Sequence, residues 1–180
     1  MEQRDDHDWA MLLAGTEQLD STIHEINENH LGVLDTKFLC QSISILQSEP
    51  AIQVNEEAPL NEVLLILKDR GIGCVLVVDQ NNRLTGIFGE RDFMKKVYGN
   101  NLNLEKALVR EYMTPNPMTA TPDTHIAYAL TMMSNLGFRH IPIVDQDNIP
   151  IAVVSVRDIV NYLVKSLTED LLNLEATENS

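Results

Sequence analysis

Apolar and polar positions along this chain fall into two successive blocks with the same internal order. In the first block Leu60, Val63, Leu64 and Leu67 recur at three- and four-residue steps, which predicts a helix over Leu60–Arg70 ended by Gly71. The apolar run Cys74–Val78 then reads as a buried strand, 79–82 as a turn, 84–88 as a second strand and 90–98 as a closing helix. In the second block 104–112 is a short helix stopped by the Pro115 and Pro117 turn, and 118–120 is an extended stretch. Asp123 or Thr124 is then placed to cap a helix whose apolar face is Ile126, Ala129, Leu130 and Met133 and whose end is Gly137. His140–Val144 and 151–155 follow as strands around a turn at 145–148, with 157–167 as closing helix. Each block is a β-α-β-β-α unit.

The two blocks superpose without a gap at an offset of 66 residues. Leu64 then meets Leu130, Gly71 meets Gly137, Val78-Asp79-Gln80 meets Val144-Asp145-Gln146, Asn82 meets Asn148, and Arg91-Asp92 meets Arg157-Asp158. The identities cluster at one turn and one charged pair, which marks a tandem duplication with a pseudo-twofold interface. The chain divides into an extension at 1–34, repeats at 35–100 and 101–168, and a tail at 169–180. Trp9, Leu12, Leu19, Ile23, Ile26 and Val33 draw an apolar stripe along the extension, which fits an amphipathic helix packed on the repeats or a short coiled coil.

Composition adds constraints. A chain of 180 residues with 44% apolar content buries a sizeable core, but each repeat alone is near the lower limit for independent stability, so the halves are expected to pack together. The net charge of −14 is concentrated at the ends: residues 1–30 hold eight acids against one base, and 167–180 four acids and no base. Such a surface repels nucleic acid and anionic membrane, and neither is an expected partner. Without an apolar run of membrane-spanning length or a basic-then-apolar leader, a soluble cytoplasmic protein is expected. Cys40 and Cys74 are expected to be buried reduced thiols, and the scattered histidines suggest no metal site. No nucleophile-base pairing or phosphate loop is legible, so no catalysis is expected and no cofactor is required.

The charged pair of the second repeat carries chemistry. Asp158 opens a helix directly after a strand, where its carboxylate could accept both hydroxyls of a ribose, while Ser155 and the helix N-terminus would face a phosphate. Arg139, His140 and Arg157 are the nearby cationic candidates. Ser155-x-x-Asp158 also reads as a capping box, which stabilises a helix start with or without a ligand.

The duplicated unit, with A-V-V-S-V-R-D from Ala152 to Asp158, G-I-F-G-E-R-D from Gly86 to Asp92, R-H-I-P-I-V from Arg139 to Val144 and M-T-P-N-P from Met113 to Pro117, resembles the CBS domain pair, or Bateman module. The resemblance covers about two thirds of the chain. It implies a mixed α/β (α+β) fold in which two β-α-β-β-α repeats form one pseudo-twofold module, preceded here by the acidic helix. It further implies an adenine-nucleotide site in the second repeat, built from Thr119 beside the adenine and from Ala120, Arg139, His140, Ile141, Pro142, Val154, Ser155, Arg157 and Asp158. The first repeat departs from the family pattern: Gly89 stands for Ser155, and Gly73-Cys74 for Arg139-His140. Arg91 and Asp92 are left as a weaker site. The implied function is regulatory, sensing AMP, ADP, ATP or S-adenosylmethionine and passing the bound state to a partner protein. The competing expectation is a constitutive dimerisation scaffold with vestigial sites. A homodimer through the helices that start near Leu60 and Ile126 is expected, because Bateman modules resemble discs built from two pairs.

Overall fold

The computed structural model describes residues 36–46, 48 and 50–178, and the helix expected at 9–31 lies outside them. A short helix α1 (Thr36–Leu39) and a 3-10 turn (Ile43–Leu46) lead into the first repeat. That repeat is β1 (Gln53–Asn55), α2 (Leu60–Arg70), β2 (Cys74–Val78), β3 (Leu84–Gly89) and α3 (Glu90–Asp92), which passes into a π-helical turn at Phe93–Val97. A short α4 (Val109–Tyr112) and β4 (Thr114–Pro115) form the link to the second repeat, which is α5 (Ile126–Leu136), β5 (His140–Val144), β6 (Pro150–Ser155) and α6 (Val156–Glu178).

Helices α2 and α5 end as expected, because Gly71 and Gly137 take left-handed φ values of 63° and 67° that a side chain would disfavour. The expected cap of α5 differs. His125 holds that position without a side-chain bond, while the Thr121 hydroxyl donates to Asp123 and the Thr121 N–H donates to the Thr124 hydroxyl at 3.0 Å, so both candidates are spent in the turn before the helix. The identical Asp-Gln-x-Asn stretches make identical hairpin turns: Asp79 accepts from the N–H groups of Asn81 and Arg83, Asp145 from those of Asp147 and Ile149, and Asn82 and Asn148 are left-handed. The closing helix of the second repeat runs past the expected end to Glu178. No Gly or Pro interrupts that stretch, and Leu171, Leu172 and Leu174 are strong helix formers.

The sheets explain why the halves cannot be separated in space as they are in sequence. The first has order β1-β2-β3-β4, with β1 parallel to β2 and the rest antiparallel, so its outer strand β4 comes from the segment leading into the second repeat. The second pairs β5 with β6, adds Ala120 beside Ile143 in parallel, and adds Pro50 beside Ala152 on the other edge. Each sheet is therefore completed by the chain entering the other repeat. The cores follow the same exchange. Phe38, Ile43 and Leu46 pack with Ile126, Met132, Ile141 and Ile159, whereas Ala107 and Val109 pack with Leu60, Val75 and Phe88. A third cluster of Leu76, Leu84 and Val144 sits between the repeats, where the N–H of Leu84 donates to the Asn148 carbonyl and the Asn148 amide donates back to the Leu84 carbonyl at 3.0 Å.

Candidate functional site

Strand register sets the geometry of the site. Antiparallel pairing places His140, the first residue of β5, opposite Ser155, the last residue of β6. The chain turns directly from Ser155 into α6, so Asp158 comes back beneath the strand end. The Ser155 N–H and hydroxyl both donate to Asp158 Oδ2, at 2.7 and 2.8 Å, and the Asp158 N–H donates to Ser155 Oγ at 3.3 Å. This is the capping box anticipated from sequence, and it consumes one carboxylate oxygen. Oδ1 accepts no hydrogen bond from the described residues and remains a strong, half-buried acceptor.

Asp158 lies on the wall of a cleft of about 580 Å³. Of the residues singled out from sequence, Arg139, His140, Ser155, Arg157 and Asp158 line it. Thr119, Ala120, Ile141, Pro142 and Val154 are not among the lining residues. Ala120 is 4% exposed and its N–H donates to the Pro142 carbonyl at 2.8 Å, while Ile141 and Val154 are wholly buried in the core of the second repeat. Thr119 precedes Ala120, which pairs at the β5 edge of the second sheet, and is the offset mate of Gln53 of β1 in the first repeat. The opposite wall is one that sequence reasoning missed: residues 50–52, 71–74 and Glu90, all from the first repeat. The duplication carried a signal for part of it, since Gly73-Cys74 is the offset mate of Arg139-His140 and two strand starts related by a pseudo-twofold axis face each other.

Close packing across that axis is specific. A Cβ on Gly73 would stand 2.9 and 3.0 Å from Cε1 and Nε2 of His140, so the imidazole lies directly on the glycine of the other repeat. Burial there pushes the His140 pKa below its ordinary value, against the pull of Asp158 and Glu90 and with help from Arg139. His140 is thus a neutral ring at neutral pH, a hydrogen-bonding group in place of the cation expected from sequence. The charged lining is then balanced, with Arg139 and Arg157 against Glu90 and Asp158. Burial and the nearby Asp92 raise the Cys74 pKa to about 12, so the thiol in this cleft is unreactive. Cys40, expected to be buried, is exposed.

The equivalent place in the first repeat is differently made. Gly89 keeps only the backbone half of the box, its N–H donating to Asp92 Oδ2 at 3.2 Å. Asp92 Oδ1 accepts from the Thr114 hydroxyl at 2.8 Å and pairs with Lys96 Nζ at 2.7 Å. Arg91 reaches across to the Gly137 carbonyl at 3.0 Å, capping α5 of the other repeat. A serine at 89 has no room, since even its Cβ would be 2.7 Å from the Gly73 carbonyl. Among the described residues no cluster of His, Cys, Asp and Glu could hold a metal, and no helix is long and apolar enough to cross a membrane.

Comparison with known proteins matches this arrangement twice over. The family model described as CBS domain matches residues 44–99 and 109–165. An uncharacterised 17.7 kDa protein of Acidianus ambivalens is 29% identical over 126 residues, covering 70% of this chain and 75% of its own length. The CBS domain-containing protein CBSCBSPB5 of Arabidopsis thaliana is 33% identical over 109 residues, 61% of this chain but only 20% of that protein. Among solved structures, the CBS domain pair of protein MJ0100 in complex with 5'-methylthioadenosine and S-adenosyl-L-methionine is 26% identical at a TM-score of 0.61, covering 67% of this chain and 98% of its own. The CBS domain protein PAE2072 of Pyrobaculum aerophilum, complexed with AMP, is 22% identical at a TM-score of 0.61, covering 69% of this chain and 98% of its own.

Proposed function

The chain belongs to the CBS domain family, and from that premise we propose that it is a regulatory module whose second-repeat cleft binds one adenosine-containing ligand and reports the bound state to a partner protein. The observation that carries this reading is the unspent Oδ1 of Asp158 on the wall of a 580 Å³ cleft, with Arg139 and Arg157 on the same lining. A ribose needs two hydroxyls accepted, and a carboxylate oxygen with no internal donor supplies charge-assisted bonds of about 1.5–3 kcal/mol each. The bound AMP of the Pyrobaculum protein and the adenosine derivatives of MJ0100 support the ligand class. The balanced lining favours ligands of low net charge, AMP or S-adenosylmethionine, over ATP. Because the cleft has one wall from each repeat, a ligand that bridges them shifts the angle between the halves, which is the signal a partner reads.

The module acts as a homodimer in this reading, through exposed apolar side chains that include Leu65 on the expected helix from Leu60. Helix α5 buries Ile126, Ala129, Met132 and Met133 in the core that Phe38, Ile43 and Leu46 also enter. The exposed large apolar side chains among the described residues are Leu65 on α2, Met94 and Tyr98 after α3, Ile151 on β6, and Val156, Val160 and Val164 on α6. Met94 and Tyr98 are the offset mates of Val160 and Val164, so the duplication itself repeats these exposed apolar positions, as a self-complementary contact would use them. One observation favours the scaffold alternative: the capping box satisfies Ser155 without any ligand. A thermal-shift panel separates the two readings. An adenosine ligand at about a hundred times its dissociation constant adds about 2.7 kcal/mol to stability, and a flat response to AMP, ADP, ATP and S-adenosylmethionine leaves the scaffold.

A further inference from the structure

We propose that Lys96 is a built-in occupant of the first repeat, whose ammonium takes the place at Asp92 that a ligand's ribose takes at Asp158 and so holds a second adenosine site closed. The inference rests on the reading of the second-repeat cleft given above. Asp92 and Asp158 are offset mates at the same strand-to-helix turn, and each gives Oδ2 to the N–H that ends the preceding strand. They differ at Oδ1. That oxygen of Asp92 accepts from the Thr114 hydroxyl at 2.8 Å and lies 2.7 Å from Lys96 Nζ, the charged occupant, which also donates to the Met113 carbonyl at 2.8 Å and stands 3.4 Å from the Thr114 hydroxyl. The Asp92 side chain is 16% exposed and that of Lys96 36%, so the carboxylate is the more sheltered partner.

The residue in Lys96's position in the second repeat is Tyr162, and it turns away. Its hydroxyl donates to Gln41 Oε1 at 3.3 Å and its ring stacks on Phe38 with centroids 5.9 Å apart, leaving Asp158 Oδ1 clear. Two further contacts narrow the first site without reaching Asp92 Oδ1. The Met113 thioether fills the space above Gly86 of β3 that a side chain there would take. Arg91, mate of the exposed Arg157, is committed to the Gly137 carbonyl. A neutral diol competes poorly with an ammonium tethered four residues away, whose effective concentration is set by the chain. The asymmetry of the two sites is therefore written in one lysine as well as in the missing Ser and Arg.

Isothermal titration of the full chain with AMP tests this. Wild type is expected to bind near one equivalent. Lys96→Met and Lys96→Tyr, the latter copying the second repeat, are each expected to bind near two, the added site about tenfold weaker because Gly73 and Gly89 lack the side chains of Arg139 and Ser155. Asp158→Ala in the Lys96→Tyr background should leave only the weak site. Melting curves verify that each variant is folded. Folded variants that stay at one equivalent, or a wild type that binds two, overturn the inference and leave the second-repeat site standing. No binding by wild type with one equivalent in the lysine variants sinks the second-repeat site and keeps the plug. No binding by any of them removes both.

Discussion

The two repeats begin from the same pair, Arg91-Asp92 and Arg157-Asp158, and spend it in opposite ways. In the first repeat every strong group is satisfied internally: Arg91 by the Gly137 carbonyl, Asp92 by Lys96, Thr114 and the Gly89 N–H. In the second, Arg157 is exposed and Asp158 keeps one oxygen unspent beside an open cleft. A duplicated charged motif has thus become a fully engaged structural tie in one copy and a helix cap with one free acceptor in the other. The same residue type at the same turn spends both oxygens on the fold where its neighbours supply enough donors, and keeps one unspent where they do not.

Replacing the two aspartates in turn gives the sharpest test of that contrast, because the effects should cross. Asp158→Ala is expected to cost about 2–4 kcal/mol of adenosine-ligand affinity, from lost charge-assisted bonds and unpaired hydroxyls. Its effect on stability should be the ordinary loss of a cap, about 1 kcal/mol. Asp92→Ala should leave affinity within about twofold and instead lower stability by about 1–3 kcal/mol, since Lys96 and Thr114 lose their shared acceptor. Calorimetry with AMP and denaturant melts on both variants measure the two quantities. Equal losses of affinity would erase the distinction between the repeats.

Making the first repeat imitate the second is the next test. Gly89→Ser restores the hydroxyl in sequence, but its Cβ meets the Gly73 carbonyl, and the expected outcome is a loss of about 1–3 kcal/mol in stability with no gain in ligand binding. A variant as stable as wild type would mean that the strand starts of the two repeats have room to part.

The smallest effect is expected with pH. The folded pKa of His140 lies below the unfolded value of about 6.5, so between those values the unfolded chain binds more protons and stability rises with pH. This contribution is complete above about pH 6.5 and is lost as the pH falls toward the folded pKa. The difference in stability between wild type and His140→Gln should therefore shrink or reverse on acidification, measured by urea melts between pH 7.5 and about 5. A constant difference would show that the imidazole is not held neutral.

Much of the fold was legible because local pattern and punctuation agree. Helix α2 and strands β2 and β5 fall at the predicted limits, where apolar runs are bounded by Gly71, Gly137 and the Asp79 and Asp145 turns. Helix α6 was cut short in prediction because Glu169 and Asp170 read as the start of a solvated tail, although charge does not end a helix that lacks Gly or Pro. The CBS domain pair itself was legible from the duplicated motifs, and the family match bears it out. The cleft was half legible. Arg139, His140, Ser155, Arg157 and Asp158 are close in sequence or paired across one hairpin, so periodicity and register bring them together. Residues 50–52, 71–74 and Glu90 arrive across the pseudo-twofold axis, and no single-repeat pattern encodes a neighbour from the other copy. Lys96 was visible as the i+4 cation to Asp92, but its choice between solvent and carboxylate is made by Thr114 and Met113, which come from the link.

The exchanged lead-in segments have a topological consequence. Cutting the chain between β3 and residue 107 would strip the first sheet of its outer strand and the first core of Ala107 and Val109, while cutting after residue 46 would take Phe38, Ile43 and Leu46 from the second. Neither duplicate is a heritable unit that could be shuffled alone, nor one that a ribosome could release half-finished in native form: the first sheet waits for residues 114–115 to emerge, and the second recruits residue 50 from a segment made long before. Melting should be a single event shared by both halves.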